Sequence, residues 1–123
     1  MPEGAVRQRL RGSLREAMRA KNPVALSALR SALAALDNAE AVPAASPDGT
    51  TTATHSRLAG TVVGVGAAET ARRRLSDDEQ LTVLRTEIDE RLSAAIEFEV
   101  GGQPDRAERL RAEADVLVDV LES

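Results

Sequence analysis

Residues 75–117 read LSDDEQLTVLRTEIDERLSAAIEFEVGGQPDRAERLRAEADVL, and the fold turns on this stretch. Ser76 followed by Glu79 is a Ser-x-x-Glu capping box, and Asp77 and Asp78 stand where acids favour the positive end of a helix. From there Leu81, Leu84, Ile88, Leu92, Ala95 and Ile96 trace one face for roughly seven turns, to about Val100. Gly101-Gly102 is a stop signal, and Gln103-Pro104-Asp105 restarts a helix with Ala107, Leu110, Ala114, Leu117 and Leu121 on one side. A Gly-Gly-Gln link of this length predicts an antiparallel helical hairpin.

Upstream, a first helix is expected over about residues 3–21, where Val6, Leu10, Leu14 and Met18 stand four apart and form a slowly drifting apolar stripe. Asn22-Pro23 ends it, and Asn22 can cap the next helix with Pro23 at its first position, where a missing N–H costs little. The second helix runs to about residue 41, with Leu26, Leu29, Leu33 and Leu36 in three-four-three spacing and Ala28, Ala32 and Ala35 beside them. Val42-Pro43 closes it. The Pro, Gly, Ser and Thr content of PAASPDGTTTATHSRLAG, residues 43–60, predicts an open, mobile loop in which Arg57 is the first site of proteolysis.

The expected fold is therefore all-α: four principal helices in two antiparallel hairpins, joined by a long irregular connection that carries one short extra helix before Ser76. The organisation is a single helical domain, 1–123, with the first two helices in 1–42, a flexible connection over 43–75 and the last two helices in 76–123. Leu10, Leu14, Leu29, Leu33, Leu84, Ile88, Leu92, Leu110 and Leu117 are the expected core.

Composition narrows the function. The 123 residues suffice for one compact domain and fall short of an ordinary two-domain enzyme. Phe98 is the only aromatic residue, so the stacking platforms of single-stranded nucleic-acid sites, sugar sites and flat-cofactor pockets are missing. With no cysteine there is neither a disulfide framework nor a thiolate nucleophile or metal ligand. No apolar run approaches membrane-spanning length and the N-terminus has no signal-peptide pattern, so a cytoplasmic protein without membrane attachment is expected. The net charge of −4 hides an asymmetry: residues 1–22 hold six basic and two acidic side chains, and 76–123 hold five basic and fourteen acidic.

Several motifs can be weighed against the chemistry they imitate. In GTVVGVGAAE, residues 60–69, Gly64 and Gly66 precede Glu69 where a dinucleotide fingerprint needs its third glycine, and no Gly-Lys-Ser/Thr follows. These glycines read as a connector, and no small-molecule cofactor is expected. His55 has no second histidine or cysteine to share a metal, so no metal site is expected. The acids at 77–79 are explained by capping, and no nucleophile is paired with a base, so no catalytic residue is assigned. Arg7, Arg11, Arg15 and Arg19 each follow an apolar residue of the first helix and form a second stripe about 100° round it, along which a phosphate backbone could lie. The alternative is that they pair with the acidic helices or stay solvated.

The segment 15–40, REAMRAKNPVALSALRSALAALDNAE, resembles the N-terminal helices of the GatB/YqeY family: an Ala-Met pair, a lysine turn, Leu-Ser-x-Leu-Arg and a closing Asn-x-Glu. Residues 75–117 are similar to the hairpin that follows in that family, including Arg91, Glu97, Phe98, Gly102 and Asp105. The sequence departs at Asp37, where members usually carry lysine, and at Asp89 and Leu92, where the hairpin is usually basic; typical members also continue through a Pro into a small helical subdomain, which this chain is expected to lack. The resemblance implies a non-catalytic module like the tail of the tRNA-dependent amidotransferase B subunit, which contacts tRNA. It makes tRNA or a protein of the aminoacylation machinery the expected partner, and Arg7, Arg11, Arg15, Arg19, Arg30 and Arg91 the expected contacts. A protein-binding module whose acidic hairpin meets a basic partner is the alternative. A carbon–nitrogen ligase activity with glutamine as amido donor follows from the family name alone.

Overall fold

The computed structural model describes residues 4–41 and 74–123, and these are all-α. The helices are α1 (Ala5–Ala20), α2 (Pro23–Ala41), α3 (Asp77–Val100) and α4 (Pro104–Glu122). The last two form a closely packed hairpin, and α2 follows α1 after the two-residue link Lys21-Asn22, an order compatible with the two expected hairpins. By its internal contacts the chain divides into two units, one of Met1–Leu36 with Ser76–Ser123, the other of Asp37–Leu75. In the second unit, the Leu75 N–H donates to Glu40 Oε2 in the last turn of α2 at 3.2 Å. The segment expected to be a mobile connection with one short extra helix and a cleavage site at Arg57 falls outside the described residues, as do His55, Gly64 and Gly66.

Local chemistry sets the helix ends of the first unit. Ser76 Oγ accepts the Glu79 N–H at 3.1 Å while Glu79 Oε1 accepts the Ser76 N–H at 2.8 Å, completing the capping box. Asn22 Oδ1 accepts the Ala25 N–H at 3.1 Å, so Asn22 caps α2 ahead of Pro23. The α3 C-terminus closes with the Gln103 N–H on the Phe98 carbonyl and the Gly102 N–H on the Glu99 carbonyl, a paired closure that puts Gly102 in the left-handed region at φ 80°. The end of α1 uses the same pair of bonds, from Asn22 to Ala17 and from Lys21 to Met18, with Lys21 at φ 54°.

The closest helix pair is α3 with α4, and α1 leans on both. Ala95, Ala107 and Ala114 are buried, and such small side chains let two backbones approach. Leu84, Ile88, Leu117 and Val120 complete the buried apolar surface of this hairpin, with Val6, Leu10 and Ala17 from α1 and Ala25, Ala28, Leu29, Ala32 and Leu36 from α2. At the hairpin's turn, the Arg106 guanidinium stands 5.6 Å from the Phe98 ring centroid and Arg111 pairs with Glu99.

The expected core needs one correction. Leu92 is exposed, and Leu14, Leu33 and Leu110 are half-buried rather than enclosed. A step of four residues advances a helix by about 400°, so a strict i, i+4 stripe turns away from any fixed neighbour by about 40° per step. Along α3 the inward positions are Leu84, Ile88 and, after a seven-residue step, Ala95; Leu92 and Ile96 belong to the diverging stripe.

Candidate functional site

The same drift sorts the arginines of α1. Leu10 is fully buried, and Arg7 lies about 60° from it round the helix, with Arg11, Arg15 and Arg19 about 40° further at each step. Arg7 is buried, whereas Arg11, Arg15 and Arg19 are exposed. The three exposed arginines climb about 6 Å along the axis per step. Arg19 pairs with Glu16 at 2.8 Å, an exposed i, i+3 pair in which both side chains remain about seven-tenths solvated. On α2, Arg30 is exposed as well. Four of the six expected contact residues are thus accessible, and Arg7 and Arg91 are not.

Arg91 belongs to an ion cluster that joins three helices. Its Nε meets Glu113 Oε1 of α4 at 3.1 Å, and its Nη1 meets both Glu87 Oε1 and the Glu87 carbonyl at 3.0 Å. Arg109 Nε approaches the other Glu113 oxygen at 3.5 Å, and Ser31 of α2 donates its hydroxyl to Glu87 Oε1 at 3.5 Å. The Arg91 and Glu113 side chains are only 11% and 10% exposed. Position 91 stands in the core-facing gap between Ile88 and Ala95, so a charge there has to be paired. The guanidinium therefore serves to hold α2, α3 and α4 in register. The two i, i+4 pairs, Glu87 with Arg91 and Arg109 with Glu113, are visible in the sequence; the bond between them across the hairpin is not.

A second junction was also hidden in the sequence. α1 has no side-chain cap of its own: Gly4 precedes it, and the acceptors come from α3, with Asp77 Oδ1 on the Ala5 N–H at 3.3 Å and Gln80 Oε1 on the Arg7 N–H at 3.2 Å. Gln80 is buried, and no buried side-chain N or O among the described residues lacks a partner. At the other end of the hairpin's open side, Arg9 Nη1 donates to the Val120 and Ser123 carbonyls at 3.2 and 2.6 Å, neutralising the end of α4. The acids at 77–79 act as caps here, Asp77 for α1 and Glu79 for its own helix.

Other surfaces offer less. Thr86, Asp89, Glu90, Ser93, Ala94 and Glu97 line a shallow, open depression along α3, too unenclosed to hold a small molecule. Among the described residues no group of His, Cys, Asp or Glu is placed to hold a metal ion, and no helix is long and apolar enough to cross a membrane. Comparison of the chain with protein-family models, with curated proteins and with solved structures finds no match. The class defined by fold and surface is thus a small all-α bundle with a cationic helix face.

Proposed function

We propose that this chain is a non-catalytic accessory module of the cytoplasm that engages tRNA or a protein of the aminoacylation machinery, in the manner of the amidotransferase tail it resembles. The observation that carries the reading is the exposed run Arg11, Arg15 and Arg19 on α1. Their repeat along the axis suits a phosphate backbone, and with one aromatic residue in the chain the affinity must come from charge rather than base stacking. Binding is then weak, tolerant of sequence and steep in salt. Three arginine contacts give a log–log salt slope of about −3, and Arg11→Gln with Arg15→Gln flattens it by about 2 units.

The test is a tRNA titration of the wild type and this double variant across a salt series. Both positions are exposed, and circular dichroism checks that the double variant keeps its helices. Binding that ignores Arg11 and Arg15, or none at low salt, removes the nucleic-acid reading. A protein-only role is then favoured, and it has an observation of its own in the apolar residues exposed on α3.

A further inference from the structure

α3 carries apolar side chains on two faces. Leu84, Ile88 and Ala95 point inward, while Leu92, Ile96 and Val100 follow one another at four-residue steps on the outside and are 42%, 61% and 84% exposed. Two full turns of uncovered Leu, Ile and Val are unusual on a helix otherwise rich in charge, where solvent-facing positions are cheaply filled by polar residues. One turn-edge over, Asp89, Ser93 and Glu97 run parallel to this strip, and all three are exposed. Glu99, on the opposite flank, is already neutralised by Arg111. The strip therefore has an apolar centre and one acidic edge.

We propose that the outward face of α3 from Asp89 to Val100 is a docking strip for a basic amphipathic helix of a partner protein. The partner's apolar side covers Leu92, Ile96 and Val100 while its Lys or Arg residues lie over Asp89 and Glu97. Charge selects this occupant. Nucleic acid is repelled by the acidic edge, and in an antiparallel two-fold pairing of this chain with itself the edge meets its own copy, acid against acid. The strip lies on a different helix from the cationic run, so the inference stands apart from the tRNA reading.

The experiment titrates the full chain with a labelled Leu/Lys amphipathic helical peptide of about 18 residues, long enough to hold its shape on binding. The controls are a matched Leu/Glu helix and a Leu/Lys peptide with the apolar positions scrambled. The intended peptide should bind roughly tenfold or more tighter than either control. Leu92→Ser with Ile96→Ser should abolish that preference, Asp89→Asn with Glu97→Gln should weaken binding and flatten its salt dependence, and Arg11→Gln with Arg15→Gln should change nothing. Circular dichroism checks that each variant keeps its helices. Equal binding of the scrambled peptide, no binding at all, or indifference to the strip variants overturns the proposal. So does a dimer in sedimentation that Ile96→Ser dissolves, because the occupant is then a second copy.

Discussion

Single residues bear unequal shares of the two helix ends that close left-handed. Gly102 holds φ 80° with open space where a Cβ would go, so Gly102→Ala meets only the backbone penalty and should cost about 1 kcal/mol in thermal unfolding. Gly101, at φ −81° and ψ 6°, has a negative φ that needs no glycine, and Gly101→Ala should stay within about 0.5 kcal/mol, set by how the Glu97 carbonyl 3.3 Å from the new methyl adjusts. The two glycines look alike in the sequence, and the melting curves should separate them. Lys21 occupies the same left-handed position at the end of α1, so Lys21→Gly should raise stability, by up to about 1 kcal/mol. In the ion cluster the asymmetry is larger. Arg91→Ala leaves the nearly buried Glu113 only its longer bond to Arg109 and should cost about 3 kcal/mol, whereas Arg91→Met combined with Glu113→Leu should recover most of it, as read from denaturant midpoints.

At the scale of a helix, four-residue spacing is the recurring feature. Val6, Leu10, Leu14 and Met18 begin buried and end with Met18 exposed; Ile88, Leu92, Ile96 and Val100 do the same on α3. In both helices a seven-residue step returns to the core, from Leu10 to Ala17 and from Ile88 to Ala95. Ile88→Ala should therefore cost about 2 to 4 kcal/mol, while Ile96→Ala on the exposed branch should cost less than about 0.5 kcal/mol. Equal effects in thermal melts would mean that the two faces of α3 are covered alike. The arginines behind the apolar stripe in α1 are carried by the same rotation, which is why Arg7 is withdrawn while Arg19 stands in solvent.

Across the whole of the first unit, α1 is held to the hairpin at its beginning and along its side. Gly4 sits at φ 96°, and a Cβ there would come within 2.7 Å of Gln80 Nε2 and 3.0 Å of Asp77 Oδ1. Gly4→Ala therefore combines backbone strain with the displacement of two caps and should destabilise by about 1 to 3 kcal/mol. Gln80→Leu fills the same space but leaves the Arg7 N–H without its acceptor, at a cost of about 1 to 3 kcal/mol. Hydrogen exchange should show α1 losing protection in both variants while the amides of α3 and α4 keep theirs, because the hairpin's closest contacts do not pass through α1.

What the sequence determined by itself was whatever is carried by neighbours within a turn or two. The Ser76–Glu79 box, the Asn22-Pro23 start, the Gly-Gly stop and the four helices are of this kind, since each depends on a hydrogen bond or steric limit between residues a few positions apart. The arginine run on α1 was legible in the same way, as a spacing. Which part of it reaches solvent was not, and neither was the departure of Leu92 from the core or the capture of Arg91 by Glu113. A drifting stripe has no fixed inside until another helix stands against it, and a buried charge has no partner until a distant segment supplies one. Those outcomes belong to the packing of α1, α2, α3 and α4, and only the tertiary structure could decide them.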